Sequence, residues 1–104
     1  SIIVRFAIQN KHCSKFVLSH NQIGLEGMKL MAPILYDQST LTELNLSHNR
    51  LGDAGAELLA QALTKHNRTL VTLNLGGNDM TDSAVVNLAE MLEFNTSLRA
   101  LGLQ

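Results

Sequence analysis

The chain has 104 residues, 45% of them hydrophobic and 16% charged, with a formal net charge of −1 and one cysteine. That fits one globular domain, lacks the concentrated basic face that nucleic-acid binding needs, and offers no internal disulfide, which favours a reducing compartment. No apolar run approaches the ~18–20 residues of a membrane span, so no membrane insertion is expected.

The opening Ser1-Ile2-Ile3-Val4-Arg5-Phe6-Ala7-Ile8 is apolar but short, without the basic start or cleavage site of a signal peptide. Ile3, Phe6 and Ala7 share one helical face; the β-branched residues would also suit an edge strand, and the helix is the preferred reading. Residues 1–12 are then the end of a preceding or capping unit. From Cys13 the chain repeats itself. Leu41-Thr42-Glu43-Leu44-Asn45-Leu46-Ser47-His48-Asn49 returns 29 residues later as Leu70-Val71-Thr72-Leu73-Asn74-Leu75-Gly76-Gly77-Asn78. It appears 28 residues earlier as Cys13-Ser14-Lys15-Phe16-Val17-Leu18-Ser19-His20-Asn21, and begins again at Leu98-Arg99-Ala100-Leu101-Gly102-Leu103. Self-similarity at this period is the mark of a solenoid. The units are 13–40, 41–69 and 70–97, with 98–104 a final strand, in a single domain 1–104. Cys13 takes a core leucine position, where a buried, inert thiol is expected.

Each unit has two halves. The first alternates, as in Leu44 and Leu46 against Glu43, Asn45 and Ser47, the period of a strand with one buried face. Asn21, Asn49 and Asn78 follow, where the chain leaves the sheet; an amide both donates and accepts, so a stack of them can satisfy the backbone freed at the turn. The second half is helical. Leu59, Ala62 and Leu63 fall at i, i+3 and i+4, as do Met31, Ile34 and Leu35 upstream and Leu88, Met91 and Leu92 downstream. Asp53 and Asp82 stand where an N-cap is wanted. Gly27 and Gly55, with Ala84 as counterpart, give the helices room for close approach. An amide residue, a spacer and a hydroxyl residue close each unit: Gln38-Ser39-Thr40, Asn67-Arg68-Thr69 and Asn95-Thr96-Ser97, with Asn10-Lys11-His12 in the same place before Cys13.

This pattern, Leu-x-x-Leu-x-Leu-x-x-Asn-x-Leu followed by Gly and further Leu, resembles the leucine-rich repeat family in its ribonuclease-inhibitor-like subclass, over residues 10–104. Cys13, Phe16 and Ala84 depart from it without threatening the fold. The resemblance implies an α/β fold: a right-handed horseshoe segment with a parallel sheet on the concave face and helices on the convex face. Members include ribonuclease inhibitors, sensing domains of NOD-like receptors, actin-capping tropomodulins, Ran-type GTPase activators and ciliary and cytoskeletal proteins.

In that geometry Lys15, Val17, Ser19 and His20, then Glu43, Asn45, Ser47 and His48, then Thr72 and Asn74 form the candidate partner face. It is small, polar and almost uncharged, without the Trp, Tyr and Arg anchors of tight interfaces. His20 and His48 are equivalent in adjacent units, and repeat-derived stacking accounts for them better than a metal, since the next unit offers Gly77 and no third ligand completes a set. Catalytic, cofactor and metal sites are all read as none. Gly76-Gly77 ends a strand and is no phosphate loop. Asn45-Leu46-Ser47, Asn67-Arg68-Thr69 and Asn95-Thr96-Ser97 match the glycosylation sequon as a by-product of the repeat. The last strand carries Leu98, Leu101 and Leu103, so an end-on contact is expected there, with a neighbouring subunit or the continuation of a longer chain covering it. The helix backs offer Lys29, Glu57, Gln61, Lys65, Glu90 and Glu93 as a second surface. The reading is a non-enzymatic protein–protein interaction scaffold in a larger assembly, cytoplasmic, with a ciliary or cytoskeletal setting among those the family allows. The alternatives are a sensing or autoinhibitory segment of a NOD-like receptor and a GTPase regulator.

Overall fold

A computed structural model of the chain describes residues 14–35, 40–65 and 68–103. The capping segment 1–12, Cys13 and the closing amides Asn10, Gln38 and Asn67 lie outside the described residues. The described chain alternates strand and helix: β1 (Lys15–Val17), α1 (Gly24–Met31) continued by a 3-10 turn (Ala32–Leu35), β2 (Glu43–Asn45), α2 (Gly52–Lys65), β3 (Thr72–Asn74), α3 (Asp82–Phe94) and β4 (Ala100–Gly102). The strands form one parallel sheet in the order β1-β2-β3-β4. Its register follows the repeat: Phe16 beside Leu44, Leu44 beside Leu73, Leu73 beside Leu101.

A three-residue strand cannot persist alone, and here each is extended sideways by its neighbours. Leu18 N donates to Asn45 O at 2.9 Å, Leu46 N to Asn74 O at 2.9 Å and Leu75 N to Gly102 O at 2.7 Å, so the same bond is made at each junction. Behind the sheet, Phe16, Leu18, Leu44, Leu46, Leu73 and Leu75 meet Met28, Met31, Leu35, Leu59, Leu63 and Leu88 in one continuous core.

The asparagines tie the turns into this ladder. Asn49 is fully buried. Its Oδ1 accepts from Asn21 N at 2.8 Å and Ile23 N at 3.3 Å in the preceding unit, while its Nδ2 donates to Leu18 O, Leu46 O and Ser47 O at 2.9, 2.9 and 3.1 Å. Asn78 repeats the pattern one unit later, accepting from Asn49 N and Leu51 N and donating to Leu46 O, Leu75 O and Gly76 O. Each amide thus uses both ends to join two units.

The turns are costly in backbone terms. His20, Gln22, His48, Arg50 and Asp79 all hold φ between 50° and 60°. Gly24 and Gly52 take φ of 63° and 65° at the point where each helix begins, a conformation that a side chain would oppose.

Three local expectations are corrected. The first unit does not carry an α-helix through Leu35: Pro33 has no N–H to continue the i→i−4 ladder, and the chain tightens to a 3-10 turn from Ala32. Asp53 and Asp82 are not N-caps. Both lie inside their helices, and α3 is preceded by Thr81, which makes no side-chain cap bond of its own. The close approach at Gly27 and Gly55 is to the chain four residues earlier, not to a neighbouring helix: a Cβ on Gly27 would stand 2.5 Å from Ile23 Cγ2, and one on Gly55 2.9 Å from Leu51 Cβ.

Candidate functional site

The exposed sheet face carries two columns. Lys15, Glu43, Thr72 and Ala100 form one; Val17, Asn45, Asn74 and Gly102 form the other. Lys15 Nζ lies 3.4 Å from Glu43 Oε2, an exposed ion pair across the first two strands. Such pairs add little stability in water, and this one pairs the two charged side chains of the described strands. Asn45 Oδ1 accepts from Ser47 N and Ser47 Oγ, and Asn74 Oδ1 accepts from Gly76 N. A shallow depression of about 210 Å³ spans Lys15, Val17, Glu43, Asn45, Thr72 and Asn74. Six of the ten expected face residues therefore share one surface. Ser47 does not join them: it is 8% exposed and held against Asn45. Ser19 is half-buried.

His20 and His48 stand beyond the strands, in the left-handed turns. Their rings stack with centroids 4.5 Å apart and planes within 9°. The pile is closed by Gly77, where any Cβ would overlap the His48 ring. Among the described residues no three His, Cys, Asp or Glu side chains gather as metal ligands. Of the end-on candidates, Leu98 and Leu101 are half-buried against the core and Leu103 is exposed.

Two contacts were not anticipated. Asp53 in the first turn of α2 receives Thr81 N at 2.7 Å and Thr81 Oγ1 at 2.5 Å. The Thr81 hydroxyl, and then its backbone N–H, hold the Asp53 carboxyl below its ordinary range. The signal was faint: Thr81 stands where the earlier units have Gly24 and Gly52, and a β-branched residue avoids the left-handed turn. The other is Asn95. Its Nδ2 donates to Leu63 O at 2.7 Å while its Oδ1 accepts from Ser97 N, Ser97 Oγ and Leu98 N. That explains the amide–spacer–hydroxyl closer and buries the nitrogen a glycan would need.

On the helical side, the flank of α3 turned away from α2 carries Val85, Ala89 and Leu92. Their counterparts Ala56, Ala60 and Leu63 in α2, and Met28, Ala32 and Leu35 before them, are all buried. Val85 and Leu92 are 47% and 45% exposed. Leu92 thus departs from the expected core stripe, because burial at this position comes from a further unit rather than from the sheet. Between α2 and α3 the back opens into a groove of about 290 Å³.

A family profile described as Leucine Rich repeat matches residues 9–32, 37–60 and 66–89, more than half of the chain. The chain belongs to the leucine-rich repeat family. It is 36% identical over 97 residues to NACHT, LRR and PYD domains-containing protein 13 of Homo sapiens, covering 92% of this chain and 9% of that protein. It is 34% identical over 85 residues to NACHT, LRR and PYD domains-containing protein 3 of Mus musculus, covering 81% of this chain and 8% of that protein. The chain therefore spans less than a tenth of the length of these relatives. Its fold is similar to a solved structure of Leiomodin-1 Actin-Binding Site 2, with a TM-score of 0.78 and 20% identity, covering 95% of this chain and 59% of the other.

Proposed function

We propose that the chain is a non-enzymatic protein–protein interaction scaffold that works as a run of repeats within a larger protein, inside the cell. The observation that carries this reading is the apolar flank of α3: Val85, Ala89 and Leu92 are exposed at positions that the next unit buries in both preceding described units. A side chain that is apolar in every unit has a partner in every unit, and the partner with the right shape is another strand–turn–helix module. The end-on contact at Leu98, Leu101 and Leu103 is part of the same surface.

The two relatives support the setting of a NACHT-containing protein, the family of the NOD-like receptor alternative, over a ciliary or cytoskeletal one. The likeness to the actin-binding structure is one of fold. No observation favours a GTPase regulator. The sheet face, with its neutralised charge and small polar side chains, would contribute adaptable hydrogen bonds to a partner rather than a deep anchor. No helix of the described residues is long and apolar enough to cross a membrane.

Sequencing the transcript that carries these codons tests the reading. The expected result is an open frame with further 28–29-residue repeats following β4 and a nucleotide-binding module elsewhere. A mature message ending at Gln104, whose product is monomeric and binds no apolar dye, would overturn it.

A further inference from the structure

The groove between α2 and α3 breaks the repeat grammar in one respect. Phe94 stands where α2 has Lys65. Its ring does not serve the core, for Phe94 is 62% exposed. The bare flank of α3 is explained by the repeat; Phe94 is not. Phe94 lines the groove with Lys65, Glu57 and Glu90, and Ala60 and Met91, only 4% and 1% exposed, close its bottom. The exposed ring is the apolar surface that the groove offers. The two carboxylates against one ammonium give the groove a net negative charge.

We propose that this groove is a docking site for a basic amphipathic segment of a protein partner. One aliphatic or aromatic side chain of the segment packs against the Phe94 ring, and an Arg or Lys of the segment reaches the Glu57 and Glu90 carboxylates. An apolar anchor gives contact area, and the opposite charge selects which anchored segment stays and steers its approach. The site is local to two helices, so it needs neither a further repeat nor the sheet face; it rests on the interaction reading only in taking a polypeptide as ligand.

The test uses the full chain, labelled with 15N, and three synthetic 12-residue helical peptides: one of Leu and Arg in an amphipathic pattern, one with Glu in place of Arg, and one with Ser in place of Leu. The Leu/Arg peptide is expected to shift the amides of 57–65 and 87–94 and to bind at least tenfold more tightly than the other two. Phe94→Lys, which restores the residue of the preceding unit, and the double variant Glu57→Lys/Glu90→Lys are each expected to weaken that binding at least tenfold. Both change exposed residues, and circular dichroism checks that each variant is folded. Equal binding of the Leu/Glu peptide, unaltered binding to the variants, or no binding at all overturns the proposal. Shifts confined to 43–47 and 72–76, or to the Val85–Leu92 flank, overturn it too but leave the interaction reading standing.

Discussion

Replacing Asn49 with alanine removes an amide that makes five hydrogen bonds across two units, three donated and two accepted. The three carbonyls it serves each keep a second donor: Asn21 Nδ2 on Leu18 O, Asn78 Nδ2 on Leu46 O and His20 N on Ser47 O. The two N–H groups fare worse. Asn21 N lies near solvent and can be rehydrated, but Ile23 is buried, and its N–H loses the acceptor that Asn49 supplies. An orphaned buried donor costs about 1–3 kcal/mol and each weakened bond about 0.5–1 kcal/mol. With one orphan and four weakened bonds the sum is about 3–7 kcal/mol, set against a total stability on the order of 5–15 kcal/mol for a domain of this size. Asn74 is the control. It is the same residue type in the neighbouring strand, exposed, with one accepted bond from Gly76 N, and Asn74→Ala should cost about 0.5–1 kcal/mol. Asn49→Asp keeps the acceptor but turns a carboxylate oxygen toward three carbonyls, so it should be no milder than Asn49→Ala. Urea unfolding followed by circular dichroism at neutral pH measures all three. Costs for Asn49→Ala and Asn74→Ala within about 0.5 kcal/mol of each other would refute the reasoning.

Other substitutions separate the remaining contributions. Gly52→Ala places a Cβ in open space at φ 65°, so it isolates backbone strain; a loss of about 1–2 kcal/mol is expected, and an unchanged urea midpoint would contradict it. Leu63→Ala should cost about 2–5 kcal/mol, while Leu92→Ala, at the equivalent but uncovered position, should cost no more than about 0.5–1 kcal/mol; equal costs would mean that the flank of α3 is not bare. The Asp53 carboxyl titrates below its ordinary 3.8 in the folded chain, so its contribution is full above that value and is lost as pH falls below it toward the folded pKa. The stability difference between the native chain and Asp53→Asn should therefore be steady from pH 7 to 5 and shrink as pH falls below about 3.8; a difference that stays constant through the acid limb would sink the assignment.

Register and architecture were legible because two periods coincide. The 28–29-residue offset aligns the strands, and alternation within each strand says which face is buried; together they place Leu44 between Phe16 and Leu73 without further information. The stacked asparagines were legible for the same reason. What stayed hidden depends on geometry between units. Asp53 reads as a cap for its own helix and is in fact a clip on the next loop, because Thr81 cannot follow the glycine path. Ser47 reads as a surface residue and is folded back on Asn45. The groove stayed hidden for the same reason: Phe94 takes the repeat position of Lys65, but only the packing of the two helices brings it to one groove with Glu57 and Glu90.

Amide hydrogen exchange tests most directly whether the units shield one another. The Leu18, Leu46, Asn49 and Leu51 amides all donate to groups of the following unit. They should exchange with one common free energy, equal to that of global unfolding by urea, and Asn49→Ala should lower all of them together. Protection of Leu46, Asn49 and Leu51 that survives while Leu18 exchanges freely would mean that the units stand independently, and the account of a shared interior would fail.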